Sequence, residues 1–185
     1  MWPWAHAAVG YLAYRALGRR VGRPPDPLAV VVLGLTTQLP DLVDKPLGWY
    51  LGVLPAGRSL AHSLLVAGLV CAVAYSAARR YGRPRLAGVA ALGYLSHLAG
   101  DSYGAALAGD FGGLSFLAYP FVPAPAEPPG VGLLFQLRTQ QPTPEFLFGL
   151  ALTGLAVGLW LRDGRPGLGV LVGWLPGGTA DSRAD

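Results

Sequence analysis

The chain has 185 residues, 52% hydrophobic and 13% charged, with a formal net charge of +4. Soluble domains carry about 25% charged residues. Half that share cannot coat a folded surface of this size, and the apolar content is far too high for a disordered chain. A single cysteine, Cys71, excludes an internal disulfide and a cysteine-based zinc cluster.

Taken in order, the apolar runs are Trp2 to Leu17, Pro27 to Pro40, Ser59 to Ala78, Leu86 to Leu107 and Phe146 to Leu161. A shorter run follows at Gly167 to Leu175. A membrane-spanning helix takes about 20 mostly apolar residues, a length the third and fourth runs reach. The runs are continuous rather than alternating and rich in Ala and Leu, which favours helices over the strands of a barrel. The expectation is an all-α polytopic bundle with five spans and a short sixth segment. It forms one membrane-embedded domain over residues 1–176, with a long external loop at 108–144 lying over the outer end of the bundle and a disordered tail at 177–185. The first run has no basic residues before it; Arg15, Arg19 and Arg20 follow it instead, so it reads as a span and not a cleavable signal. Trp2, Trp4, Trp49, Tyr50, Trp160 and Trp174 fall where aromatic interface anchors are expected.

Charge sets the orientation. Arg15, Arg19, Arg20 and Arg23 lie between the first two runs, Arg79, Arg80, Arg83 and Arg85 between the third and fourth, and Arg162 and Arg165 after the fifth. These ten of the fourteen basic residues fall on one side of an alternating topology. The positive-inside rule puts that side in the cytoplasm and the N-terminus outside, in the cell (inner or plasma) membrane.

All three histidines, His6, His62 and His97, then fall at outward helix ends, together with Asp41, Asp44 and Asp101. Ionisable residues at membrane depth are costly and mark function by default. His97 and Asp101 are spaced i, i+4 and share a helical face, a pairing suited to a divalent metal; the alternative is an interhelical hydrogen bond. Asp41 and Asp44 share a face only if the helix runs past Pro40, which fits better as a break or a first-turn residue. A cap or turn at the membrane surface is their alternative role. Arg58 and His62 are also i, i+4: His62 as a neutral ligand and Arg58 facing an anionic substrate resolve two cations on one face, while a lipid-headgroup anchor is the other role for Arg58. The glycines of Gly149 to Gly158 suit close helix packing. The arginines sit in turns and are explained by topology, so no nucleic-acid partner is expected.

The ordered set LPDLVD, RSLAHSL and LSHLAGD, with His6 near the start of the first helix, resembles the DUF457/YdjM-like family, described as predicted membrane-bound metal-dependent hydrolases. The resemblance covers roughly His6 to Asp101. It implies a helical membrane fold and a divalent metal, zinc, with His6, Asp41, Asp44, His62, His97 and Asp101 as ligands. Many relatives carry His where this chain has Gly57, and Thr where it has Ala61. The resulting expectation is metal-assisted hydrolysis of a phosphoester, including a lipid-borne one. Asp44 or Asp101 would accept a proton from water and Arg58 would bind a phosphate oxygen. A non-catalytic scaffold and an ion or proton transporter are the competing classes; a transporter would need ionisable groups through the full membrane depth.

Overall fold

The computed structural model describes residues 1–125, 127 and 131–174. The expected tail at 177–185 lies outside them. The described chain is all-helical: α1 (Pro3–Arg20), α2 (Pro27–Lys45), α3 (Leu64–Arg80), α4 (Pro84–Ala108), α5 (Leu133–Thr139), α6 (Pro144–Arg162) and α7 (Leu168–Gly173). A π-helical turn, Pro46–Tyr50, extends α2, and a 3-10 segment, Gly112–Ala118, follows α4.

Proline starts α1, α2, α4 and α6, where its fixed φ suits the first turn and its missing N–H would have no helical partner. Side chains cap three helices: Asp26 accepts from the Ala29 amide, Ser63 from Val66 and Thr143 from Phe146. Gly109, at φ +68°, closes α4 in the left-handed conformation.

The centre is made by α1, α2 and α4. A Cβ on Gly93 of α4 would stand 2.2 Å from Thr36 Oγ1, and one on Gly10 of α1 would stand 2.5 Å from Thr37 Cγ2. Only glycine lets these backbones approach so closely. One core cluster joins Ala8, Tyr11, Leu33 and Ala156; a second joins Ala67, Tyr94, Leu98 and Phe116. Large apolar side chains instead stand exposed on the outer faces, among them Leu65, Leu69, Leu147 and Leu155. Apolar outside and ionisable inside is the arrangement a lipid solvent favours.

Two helices among the described residues, Pro27–Tyr50 and Pro144–Arg162, are long and apolar enough to cross a membrane by length and composition; the all-helical class stands, and that count does not reach the five spans expected. α1 carries three arginines, α4 carries His97 and Asp101, and α3 is shortened to 17 residues. That shortening has a cause: residues 51–63 form turns and bends, and helix begins only at Leu64. Arg58 and His62 therefore do not share a helical face. Pro40 does not break α2, which runs through it and carries Asp41 and Asp44 into the interior. Within the 108–144 segment lie the 3-10 segment and α5. Of the glycines read as packing contacts on α6, Gly149 does meet Ala5, whereas Cβ atoms at Gly154 and Gly158 would stand in open space.

Candidate metal centre

Three chain segments deliver the site. α2 brings Asp41 and Asp44 through the turn around Pro40. α4 brings His97 and Asp101 from one face, four residues apart. The irregular stretch before α3 brings His62. His6, His62, His97 and Asp44 are fully buried and Asp41 nearly so.

Four atoms converge: Asp41 Oδ1, His62 Nε2, His97 Nε2 and Asp101 Oδ2. His62 Nε2 lies 3.1 Å from His97 Nε2, 3.4 Å from Asp101 Oδ2 and 3.5 Å from Asp41 Oδ1. His97 Nε2 lies 3.7 Å from each carboxylate oxygen. A tetrahedral ion with bonds of about 2.0–2.1 Å separates its ligands by roughly 3.3 Å. Five of the six edges of this set bracket that value.

The chain also fixes which face of each group points inward. His97 Nδ1 donates to the Thr37 carbonyl at 2.6 Å, which leaves Nε2 as the inward nitrogen. That carbonyl belongs to the turn before Pro40, where the proline ring crowds the preceding backbone and removes one ladder donor. His62 Nδ1 donates to Asp44 Oδ2 at 2.8 Å, which turns its own Nε2 inward. With both Nδ1 atoms donating, two imidazole nitrogens and two carboxylate oxygens face one point, mutually repulsive unless a metal cation or a proton sits among them. Asp41 Oδ1 is buried and has no hydrogen-bond partner in the structure. Nitrogen and oxygen donors of this kind suit a divalent ion such as zinc.

The outward carboxylate oxygens are occupied. Asp41 Oδ2 accepts from Lys45 Nζ at 2.5 Å. Asp101 Oδ1 faces the Met1 amine at 2.5 Å and His6 Nε2 at 3.2 Å. His6 stacks on His97, with ring centroids 3.8 Å apart, and so flanks the four-atom cluster without being one of its members.

Asp44 stands on the far side of His62. Its oxygens accept backbone N–H bonds from Ser59, Ala61 and His62 at 2.8, 2.8 and 3.2 Å, besides the imidazole. One carboxylate thus both shapes the irregular stretch and orients a ring. The Tyr94 hydroxyl donates to the Ala61 carbonyl from the α4 side.

Arg58 is exposed. It lines a cavity of about 890 Å³ whose wall also includes Asp41, Asp101, Lys45, Trp2, Trp4, Trp49, Gln136 and Gln140. The 108–144 segment borders this cavity and is pinned to its surroundings: Trp2 Nε1 donates to Gln140 Oε1 at 2.7 Å, and Trp49 Nε1 donates to Glu127 Oε2 at 2.9 Å. Glu127 Oε2 also accepts from the Gly57 amide at 2.8 Å. A Cβ on Gly57 would stand 2.3 Å from Trp49 Nε1, so the indole takes the room a side chain would need there.

Sequence reasoning missed Lys45, Thr37, Tyr94 and Glu127 as supports. Asp41 and Lys45 at i, i+4 were a legible signal once α2 was allowed past Pro40. The Thr37 contribution is a backbone carbonyl and leaves no trace in residue type.

A model of the YdjM inner membrane protein family matches residues 1–175, well beyond the stretch from His6 to Asp101 that carried the motifs. No curated protein and no solved structure matches the chain. The chain belongs to the YdjM inner membrane protein family, and its context is a lipid bilayer.

Proposed function

We propose that this chain is a membrane-embedded, zinc-dependent hydrolase acting on a phosphoester, with Asp41, His62, His97 and Asp101 holding the ion. The observation that carries the reading is the near-tetrahedral spacing of four inward donor atoms, with the orientation of both imidazoles set by partners on their other nitrogens. When bound there, the ion would supply Lewis acidity and lower the pKa of a coordinated water.

The protein's own groups divide the remaining work. Asp44 holds His62 in one tautomer, and the Thr37 carbonyl does the same for His97, as outer partners do in metal sites. Lys45 neutralises the outer edge of Asp41. Neither carboxylate expected to accept the proton of water is free for it: Asp101 would hold the ion through Oδ2 and meets the Met1 amine with Oδ1, and both oxygens of Asp44 are committed to His62 and backbone N–H groups. Arg58 binds the anionic substrate oxygen through its planar fork. His6 buttresses His97 and Asp101 by stacking and by proximity to Oδ1.

In the same reading α1–α4 and α6 cross the membrane. The shortest, α3, is about 26 Å long at 1.5 Å per residue, enough for a locally thinned bilayer. The Arg-rich turns lie in the cytoplasm, and the metal centre lies at the outer face.

Metal analysis with activity tests the function. Protein purified without chelator should carry about one zinc per chain, and chelation should abolish hydrolysis of a chromogenic phosphodiester that zinc then restores. Metal-free protein that folds normally and cleaves nothing after zinc loading would end this reading. For the orientation, single cysteines at Val53 and Arg83 in a Cys71→Ala background should react oppositely in intact cells. An impermeant thiol reagent should label position 53 and spare 83; the reverse would put the site at the cytoplasmic face.

A further inference from the structure

The cavity over the metal centre is asymmetric. α2 contributes Gly34, Leu35, Gln38, Asp41, Leu42 and Lys45 to its wall, a stripe at i, i+3/i+4 spacing along one helical face. The stripe is ionic at its Lys45 end and apolar at its Gly34 end. Gly34 precedes Asp41 by seven residues, about 10 Å along the axis. Trp4 and Ala5 of α1, with Phe146 and Gly149 of α6, line the same cavity. A Cβ on Gly34 would meet nothing within 4 Å, so the trench beside it is open space. Leu35 and Leu42 are exposed, at 57% and 63%. At the ionic end Arg58 makes no ion pair with a carboxylate among the described residues.

We propose that this cavity binds a phospholipid entering sideways from the bilayer, its phosphate at Arg58 above Asp41 and Asp101 and its acyl chain in the trench beside Gly34. The proposal rests on the hydrolase reading for what happens at the phosphate, but lipid binding is a separate claim. Charge complementarity argues for the occupant: an exposed guanidinium with no carboxylate partner among the described residues suits an anion, and an apolar trench leading away from it suits a tail attached to that anion. A free phosphate would satisfy only the first feature and a neutral lipid only the second.

The test is native mass spectrometry of the zinc-loaded full chain in detergent, with three probes: dioctanoyl phosphatidic acid, dioctanoyl glycerol and glycerol 3-phosphate. Phosphatidic acid should bind one per chain and at least tenfold more tightly than either fragment. Gly34→Phe adds a ring where the wild type has open space, so it should remove the advantage of phosphatidic acid over glycerol 3-phosphate while zinc content stays unchanged. Arg58→Ala should bring phosphatidic acid down to the level of dioctanoyl glycerol. Equal binding of glycerol 3-phosphate and phosphatidic acid, or a Gly34→Phe variant that binds phosphatidic acid like the wild type, would overturn the lipid site. Zinc retained with no lipid bound would sink this proposal and leave the hydrolase standing. Lipid bound in a Gly34-sensitive way by a chain that takes up no zinc would do the opposite.

Discussion

The two ends of this bundle handle their carboxylates differently. At the Arg-rich end, Asp163 follows α6 and receives Arg15 through two bonds, Nε to Oδ2 at 2.5 Å and a terminal nitrogen to Oδ1 at 2.9 Å. The Tyr11 hydroxyl adds a third at 2.7 Å. Every lone pair that matters is met by a donor from the same chain, and the cluster ties α1 to α6. At the other end, Asp41 and Asp101 each meet a cation with one oxygen and aim the other at two imidazole nitrogens. A structural ion pair closes on itself. A binding site leaves donor atoms pointed at a shared point and spends other residues on holding them there.

The largest break in that contrast comes from His97→Ala. It removes one of four inward atoms and the ring on which His6 stacks. Zinc affinity should fall by more than the roughly 10–100-fold typical of outer-partner changes, measured by competition with a chromogenic chelator. Unchanged affinity would mean that the four atoms are not the ligand set. Asp44→Asn is the sharper probe, because it alters no inward atom. Its loss should be within roughly 10–100-fold, since an amide holds His62 less firmly and carries no charge. If Asp44 were itself a ligand, the loss would match that of His97→Ala. Arg58→Ala should leave zinc content intact and lower kcat/KM for a phosphodiester by about tenfold, the worth of one exposed charge-assisted bond. Arg58→Lys should recover part of this, keeping the charge without the fork.

The same contrast explains how much could be read from sequence. The all-helical fold was legible, and so were the starts of α1, α2, α4 and α6 to within two residues, because the apolar runs begin beside Pro3, Pro27, Pro84 and Pro144. The gathering of His97 and Asp101 followed from i, i+4 spacing on a helix that forms as expected. The placement of His62 did not. An apolar run beginning at Ser59 looks helical, yet Asp44, fifteen residues away in the chain, accepts three amides of that stretch and holds it open. Tertiary hydrogen bonds overrode local pattern there. The path of α2 through Pro40 was likewise invisible, because proline ordinarily breaks or kinks a helix interior and nothing in the spacing shows that this helix continues through it.

The smallest effect belongs to the closed cluster at the other end. Asp163→Asn should lower Tm by no more than a few degrees, since it weakens an ion pair at the partly exposed end of the bundle, and it should not touch zinc binding. Its pH dependence has a definite sign. Hydrogen bonding from Arg15, opposed in part by burial and aided by Tyr11, holds the Asp163 carboxyl below its ordinary value. A depressed carboxylate pKa means stability that is present above the unfolded value and lost as pH falls through the folded one. The Tm gap between wild type and Asp163→Asn should therefore stay constant above about pH 4, near the unfolded carboxylate pKa, and close below it. Added salt should narrow the gap less than it would for a surface pair, because the Arg15 and Asp163 side chains are only 13% and 12% exposed. A gap that widened in acid would mean that the carboxylate is held protonated at this end. The self-closed ion pair would then be the wrong description of it, and the contrast between the two ends would fail.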